Sequence, residues 1–237
     1  MATKPSIPKG TRDFSSVEIA KRNYLKNILQ ITFEEYGFSP IETPSFEKLE
    51  TLTGVYGDEG DRLVFKILNS GEKIKKADFN AYNNGENHKF IKSISEKALR
   101  YDLTVPFARY VVQHQNELTF PFRRYQIQPV WRADRPQRGR CQEFIQCDAD
   151  IVGNRSLWQE VEVLHLYDRI FNKLRIKNIN LRINHRNILV AIISLFEDES
   201  RIYDFTVTLD KLNKIGKKEV FKELIGKNFH SKLLDIL

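Results

Sequence analysis

The middle of the chain alternates polar and apolar side chains in a pattern that predicts two strands joined by a charged loop. The strands are predicted at residues 125–132 and 140–151, and the loop at residues 133–139. Because side chains alternate across a strand with a period of two, the second strand has two different faces. The polar face carries Arg140, Gln142, Phe144, Gln146, Asp148 and Asp150. The opposite face is mostly small or apolar, which suits a packed surface, and it carries Cys141, Glu143, Ile145, Cys147, Ala149 and Ile151.

Helical spacing of apolar residues predicts a long helix on each side of this strand pair. Ser15 and Glu18 form a capping box before the first helix, and Gly37 ends it. Its apolar stripe is Leu25, Ile28, Leu29, Thr32, Phe33 and Tyr36. The second helix is predicted at residues 156–174, with Ser156 and Gln159 as its capping box. Its apolar stripe is Leu157, Val161, Leu164, Phe171 and Leu174.

Shorter elements complete the expected fold. Strands are predicted at residues 38–44, 62–69 and 180–184, a helix at 46–52, and a helix beginning at 184. Residues 53–60 are glycine-rich and predict a loop, whereas residues 70–96 are polar and long enough to predict a mobile surface insertion without an assigned function. The sum is an α+β fold, in which helices pack against a mostly antiparallel sheet.

A second informative stretch lies at residues 98–110. In a strand, Leu103 and Val105 would face one way and Asp102 and Thr104 the other, with Pro106 ending the pairing and a helix starting at residue 107. Asp102 and Thr104 could then offer a carboxylate and a hydroxyl to one ligand. The same residue types also cap helix N-termini, and the pattern alone leaves both interpretations open.

The polar face of the strand pair has the chemistry of a nucleotide site at one end. Arg132 closes the first strand and Arg140 opens the second, and forked guanidinium donors suit phosphate oxygens. Phe144 is placed to stack on a flat ring. Gln146 and Asp150 follow on the same face, separated by about 13 Å along the strand, where an amino-bearing ligand could bind. A solvated face of an exposed hairpin is the alternative interpretation.

Composition excludes few functions and adds little to the motif patterns. Lys and Arg number 38 against 31 Asp and Glu, a net charge of +7 that permits an anionic partner without requiring one. Cys141 and Cys147 would lie about 20 Å apart on an extended strand, too far for a disulfide. Cys and His show no metal-ligand spacing, and His165 and His185 are expected to be structural. Neither a signal core nor a membrane-spanning run is visible, so a cytoplasmic protein with no membrane partner is expected.

Four motifs resemble one enzyme family. The run FRRYQIQPVWRADRPQRGRCQEFIQCDAD, residues 122–150, closely resembles the second signature motif of class II aminoacyl-tRNA synthetases in its histidyl-tRNA synthetase form. PKGTRDF at residues 8–14 resembles the N-terminal signature of that family, and the Asp-Leu-Thr run at 102–104 resembles its substrate loop. The first helix, the strand after it and Pro44 resemble the first class II motif, which implies a homodimer.

The resemblance implies a reaction and assigns residues to it. The enzyme would activate L-histidine with ATP to form histidyl-adenylate and then transfer histidine to tRNA(His). Arg132 would be catalytic, stabilising the α-phosphate and the carboxylate. The implied histidine-binding residues are Asp102, Leu103, Thr104, Arg132, Gln146 and Asp150, and the implied ATP-binding residues are Arg132, Arg140 and Phe144. Mg²⁺ would bridge the phosphates, but no residue is assigned as its ligand.

The resemblance also divides the chain. Residues 1–205 correspond to the N-terminal part of the class II catalytic domain, and the lysine-rich residues 206–237 to the start of an inserted helical domain. A third class II motif, a second histidine-specific motif and an anticodon-binding domain are not found, so a fragment with weak or no activity of its own is expected. The alternative is a non-catalytic relative, such as the regulatory subunit of ATP phosphoribosyltransferase or a tRNA-binding module. Such a relative would be expected to lack some of the pocket residues, which favours the enzyme.

Overall fold

A computed structural model describes residues 4–54, 61–197 and 199–232, which form two compact units, Met1–Ile179 and Asn180–Leu237. The strands, in chain order, are β1 (Ser39–Pro40), β2 (Phe46–Lys48), β3 (Lys66–Ile67), β4 (Lys97–Leu99), β5 (Phe122–Trp131) and β6 (Glu143–Val152). The helices are α1 (Ser16–Glu35), α2 (Leu49–Leu52), α3 (Phe79–Asn83), α4 (Asn87–Ile94), α5 (Thr104–His114), α6 (Trp158–Lys173), α7 (Arg186–Ser194), α8 (Ile202–Leu209) and α9 (Leu212–Gly226). The expected α+β class is confirmed.

The main sheet of the first unit is built on the long hairpin of β5 and β6. Its strand order is β1-β5-β6, with β6 antiparallel and β1 parallel to β5. Helices α1 and α6 cover one face of this sheet, and their shared core consists of Phe33, Phe38, Tyr125, Leu166 and Ile170. The Tyr125 hydroxyl donates to Glu34 Oε1 at 2.8 Å, so the ring is buried while its polar end is satisfied.

A smaller antiparallel sheet, in the order β2-β4-β3, packs against α2 and the start of α5. Its core consists of Leu49, Leu52, Val64, Ala98, Tyr101 and Val105. The backbone joins it to the main hairpin, because Trp131 N donates to Arg100 O at 3.0 Å and Ala133 N donates to Leu63 O at 2.8 Å. The end of β5 is therefore fixed by both sheets.

The capping box of α1 forms as predicted. The Ser15 hydroxyl accepts a bond from Glu18 N, and the Glu18 carboxylate accepts one from Ser15 N at 2.8 Å. These bonds and the Arg12 guanidinium lower the pKa of Glu18.

The capping box predicted for α6 is wrong. Helix α6 begins at Trp158, whose N–H bonds to the Ser156 hydroxyl at 3.3 Å, and the helix buries Leu166 and Ile170, whereas Leu157 and Val161 are exposed.

Several short elements differ from the prediction. The strand expected at 38–44 is limited to Ser39–Pro40, since prolines at 40 and 44 remove two backbone donors. The strand expected at 62–69 contains only Lys66–Ile67, and residues 46–52 begin as β2 before turning into α2. Of the loop expected at 53–60, residues 55–60 lie outside the described part of the chain. These elements are held by partners distant in sequence, which local periodicity does not reveal.

The mobile insertion predicted at residues 70–96 is instead folded. It contains a 3₁₀ turn, Gly71–Lys76, followed by α3 and α4. Asp78 Oδ1 accepts from Ala81 N at 2.9 Å and caps α3. Tyr82 and Phe90 then place their ring centroids 5.1 Å apart across the two helices. A cap and an aromatic pair thus stabilise short helices in a polar segment.

The second unit consists of α7, α8 and α9 around its own core. That core is Ile193, Phe205, Val220, Leu224 and Phe229. The strand predicted at 180–184 is not formed; the Asn184 side chain accepts from His185 N at 2.8 Å instead. His185 caps α7 by accepting from Asn187 N at 3.2 Å, a structural role as expected.

The domain boundary predicted after residue 205 falls inside α8, whereas the compact units divide after Ile179.

Candidate functional site

The register of β5 and β6 gathers polar side chains on the face of the hairpin away from α1 and α6. Arg124 lies opposite Asp150, Gln126 opposite Asp148, Gln128 opposite Gln146, and Val130 opposite Phe144. The two strands therefore contribute alternate residues to one surface, as the period-two pattern predicted for Phe144 to Asp150. Arg140 and Gln142 precede β6 and lie in the loop instead.

A buried arginine lies at the centre of the carboxylate end of this surface, the part that carries Asp148 and Asp150. Arg124 is fully buried, and its Nη2 lies 2.6 Å from Asp150 Oδ2 and 3.4 Å from Leu103 O. The Phe107 ring covers the guanidinium at 4.3 Å from its centroid. Burial lowers the pKa of Arg124, while the negative charges of Asp150, Asp148 and Asp102 oppose that shift.

The carboxylates around Arg124 have different environments. Burial raises the pKa of Asp148, although Arg124 and a hydrogen bond from Gln146 act in the opposite direction. That bond joins Gln146 Nε2 to Asp148 Oδ2 at 3.0 Å. Gln146 Oε1 is buried with no hydrogen-bond partner among the described residues. An oxygen of this kind is suited to accept from a ligand donor such as an ammonium group.

The structure brings only part of the Asp-Leu-Thr run into this cluster. Asp102 is buried, and its Oδ1 accepts from Val105 N at 3.2 Å in the first turn of α5. The capping interpretation of Asp102 is therefore realised, and the same carboxylate also acts on Arg124. The Leu103 side chain is buried in the protein and offers only its backbone to the site. Thr104 is exposed, because α5 begins there and the predicted strand alternation does not form.

The three predicted ATP-binding residues line one cavity at the other end of the surface. The cavity has a volume of about 210 Å³ and is lined by Arg132, Asp134, Gly139, Arg140, Cys141 and Phe144. The Arg132 guanidinium lies 5.2 Å from the Phe144 ring centroid. Arg132 Nε donates to Tyr101 O at 2.9 Å, and Tyr101 directly precedes Asp102. This bond connects the cavity to the segment that carries Asp102.

The loop beside this cavity is held by the N-terminal arm. Arg140 pairs with Asp134 at 3.2 Å, and Gln142 Nε2 donates to Asp134 O at 2.9 Å. Gly10 O accepts from Gln142 N at 2.7 Å. A Cβ on Gly10 would lie 2.7 Å from Gln142 Cγ and 2.9 Å from Pro136 Cγ, and its φ is +85°. The PKGTRDF arm thus packs on the loop at a position that suits glycine.

Sequence reasoning missed two buried arginines that shape the site. Arg124 fell outside the predicted strand, although the period-two rule extended back to residue 122 would have placed it on the same face as Gln126 and Gln128. Arg100 is also fully buried, and it donates to Pro129 O at 2.9 Å and Pro44 O at 3.0 Å. These bonds link the end of β4 to β5 and to the segment that precedes β2, and no local pattern reveals such a role.

Within the described residues, no group of three or more His, Cys, Asp and Glu side chains is arranged to hold a metal ion. Cys141 and Cys147 are free thiols. In the same part of the chain, no helix has both the length and the apolar character needed to span a membrane.

Comparisons with known proteins agree with the geometry. The family model described as histidyl-tRNA synthetase matches residues 85–237. A histidine–tRNA ligase of Christiangramia forsetii is 62% identical over 235 residues, covering 99% of this chain and 52% of that protein. One of Flavobacterium johnsoniae is 55% identical and covers 96% of this chain and 52% of that protein. The chain thus spans about half the length of these curated relatives.

Solved structures show the same relationship. The histidyl-tRNA synthetase of Nostoc sp. PCC 7120 superimposes with a TM-score of 0.78 at 30% identity, covering 99% of this chain and 48% of that one. A Bacillus halodurans protein described as an ATP phosphoribosyltransferase regulatory subunit/histidyl-tRNA synthetase has a TM-score of 0.76 at 20% identity, which shows the fold alone. Since the family model covers more than half of its residues, this chain belongs to the histidyl-tRNA synthetase family.

Proposed function

We propose that this chain is the N-terminal part of an enzyme that activates L-histidine with ATP and transfers it to tRNA(His). The observation that carries the proposal is the bond from Arg132 to Tyr101 O, which joins a guanidinium-and-ring cavity to the carboxylate cluster. One continuous polar surface can therefore hold a nucleotide and an amino acid side by side. The matches to histidine–tRNA ligases support the same reaction.

Histidine would bind at the carboxylate end. Its ammonium group would be bound by Asp102 and Asp150, with Gln146 Oε1 as a further acceptor and Thr104 completing the set. Leu103 would contribute through its backbone, because its side chain is buried. The carboxylate of the bound histidine would point towards Arg132. This orientation follows from charge, since the cluster is acidic at one end and Arg132 is the cation at the other.

ATP would bind over the cavity. Phe144 would stack on adenine, and Arg132 and Arg140 would contact phosphate oxygens. A carboxylate oxygen of histidine attacks the α-phosphorus, the bond to the bridging oxygen of the β-phosphate breaks, and pyrophosphate leaves. A terminal hydroxyl of tRNA(His) then attacks the activated carbonyl, and AMP leaves. Arg132 would stabilise the charge that develops on the α-phosphate. Mg²⁺ would neutralise phosphate charge, and no described residue is assigned to it.

The proposal extends to assembly and location. Helix α1 exposes large apolar side chains, among them Val17, Tyr24 and Ile31. Together with the strand that follows, it would form the interface of a homodimer, because exposed apolar surface of this kind favours association. The enzyme would act in the cytoplasm, where its tRNA substrate is charged.

The test uses the full-length protein and histidine-dependent exchange of pyrophosphate into ATP. Arg132→Ala should reduce exchange by about 10²- to 10³-fold, the cost typical of removing a donor that stabilises transition-state charge. Arg169→Ala is the control, because it removes a guanidinium from the exposed surface of α6, 3.8 Å from Glu35. Exchange unaffected by Arg132→Ala would contradict the assignment. Histidine or tRNA binding without exchange by the wild type would favour the non-catalytic alternative.

A further inference from the structure

Arg124 is a buried charge that the proposed mechanism does not use. Its side chain is fully inaccessible to solvent, although it lies on the substrate face of β5. It makes an ion pair with Asp150 at 2.6 Å and a hydrogen bond to Leu103 O at 3.4 Å, from the same nitrogen, Nη2. Its Nε and Nη1 have no hydrogen-bond partner among the described residues. A buried cation of this kind is costly, so its surroundings must supply compensating charge.

Three carboxylates supply that charge. Asp150, Asp148 and Asp102 all act on the Arg124 guanidinium, and they come from two separate segments of the chain. With all four groups ionised, one positive charge faces three negative charges. The cluster therefore keeps an excess of negative charge, which suits a cationic ligand, and Arg124 is the group that allows the carboxylates to lie close together.

We propose that Arg124 is a positioning residue of the amino-acid subsite, holding Asp150 on β6 and the Asp102–Leu103 turn at a fixed separation. The inference rests on the proposed function, which supplies L-histidine as the ligand. Arg124 is enclosed by Phe107 and the two segments that it joins, so it acts through Asp150 and Asp102. Its loss should weaken histidine binding, whereas the ATP cavity around Phe144 should be unaffected.

The neighbouring residue provides a matched control. Arg123 precedes Arg124 on β5 and points to the opposite face, where it forms a two-bond ion pair with Glu162 at 2.6 and 2.7 Å. Arg123 and Arg124 thus lie on the same strand and carry the same charge, and each pairs with one carboxylate. Arg124 pairs with Asp150 on β6, and Arg123 pairs with Glu162 on α6. They lie on opposite faces of the sheet, and of the two only Arg124 lies beside the aspartates of the proposed histidine subsite.

The experiment measures KM for histidine and for ATP by pyrophosphate exchange in the full-length protein. Arg124→Lys keeps the charge, but its side chain is one atom shorter and lacks the guanidinium plane that lies over Phe107. Its ammonium group therefore cannot take the position of Nη2 between Asp150 and the Leu103 carbonyl. We expect KM for histidine to rise by about ten- to hundredfold, as for loss of one charge-assisted hydrogen bond, with KM for ATP nearly unchanged. Arg123→Lys should leave both values unchanged. Equal KM values for histidine in Arg124→Lys and the wild type would overturn the inference.

A double variant separates positioning from simple charge compensation. Arg124→Met with Asp148→Asn removes one positive and one negative charge, so the net charge of the cluster stays the same. A positioning role predicts that KM for histidine stays raised in this variant, while its thermal melting approaches that of the wild type. Recovery of the wild-type KM would show that Arg124 only balances buried charge, and would overturn the proposal. A wild type that neither binds histidine nor exchanges pyrophosphate would instead overturn the proposed function, and the inference with it.

Discussion

At the scale of single residues, the candidate site separates two kinds of chemistry along one strand. Phe144 lies beside Arg132 at the cavity end, whereas Asp148 and Asp150 lie beside Arg124 at the carboxylate end. A ring under a guanidinium suits a purine and its phosphates, and carboxylates around a buried cation suit an ammonium group. The two ends differ in charge, so one surface can orient two substrates relative to each other.

Phe144 should contribute to nucleotide binding through its flat ring. Phe144→Leu keeps the apolar volume but removes the stacking surface, and aromatic stacking on a base is worth about 1–3 kcal/mol. We therefore expect KM for ATP to rise by about five- to 150-fold in pyrophosphate exchange, with little change in KM for histidine. Phe46→Leu is the control, because Lys97 lies 5.2 Å from that ring on the smaller sheet. A normal KM for ATP in Phe144→Leu would exclude stacking at this position.

The sequence predicted the site residues that share one strand better than those that depend on another segment. Phe144, Gln146 and Asp150 follow a period of two, so their common face could be predicted without a structure. Thr104 could not, because the start of α5 overrides strand alternation at that point. The role of Arg124 could not be predicted either, because it depends on the register that pairs Arg124 with Asp150. That register is a property of two segments.

At the scale of elements, the hairpin of β5 and β6 gives the site its rigidity. Ten residue pairs fix the register from Phe122 opposite Val152 to Trp131 opposite Glu143. A shift of one residue would turn every polar side chain of the site towards α1 and α6. The loop between the strands has fewer constraints, and the N-terminal arm contributes one of them through Gly10.

Gly10 should matter because of its contact with the loop. Gly10→Ala would place a Cβ 2.7 Å from Gln142 Cγ at a φ of +85°, so arm and loop would have to separate. Gly37 has a φ of +75° with nothing within 4 Å of an added Cβ, so Gly37→Ala reports backbone strain alone. We expect both variants to melt at lower temperature and only Gly10→Ala to raise KM for ATP. Equal KM values in the two variants would argue against a role for the arm.

Long elements were predictable, and short ones were not. The spacing of apolar residues located α1, α6 and the β5–β6 hairpin to within a few residues. The smaller sheet was not recognised, since β2, β3 and β4 contain two or three residues each. Such strands exist because their partners hold them, and the folded insertion at α3 and α4 likewise depends on a cap and on contacts between rings.

At the scale of the whole molecule, each compact unit has a hydrophobic core of its own. Among the described residues, the first unit contains two clusters, centred on Phe33 and on Leu52, and the second contains one, centred on Phe205. The two compact units divide after Ile179. The domain boundary at residue 205 follows from the family resemblance and stays a prediction.

Separate cores predict separate responses to core substitutions. Phe205→Ala should destabilise the second unit by about 3–5 kcal/mol, as for other buried phenylalanines. In hydrogen exchange, protection should fall in α7, α8 and α9 and persist in β5 and β6. Phe33→Ala should instead lower protection in β5 and β6 and leave it unchanged in α7, α8 and α9. Loss of protection throughout the chain in both variants would show that the two cores unfold together.

The most direct test of the proposed function is pyrophosphate exchange by the full-length wild-type protein with each of the twenty standard amino acids. The assay contains ATP and Mg²⁺ and requires no tRNA, so it isolates the activation step. We expect exchange with L-histidine and background rates with every other amino acid. Exchange driven by a different amino acid, or by none, would contradict the assignment of this chain to a histidine-activating enzyme.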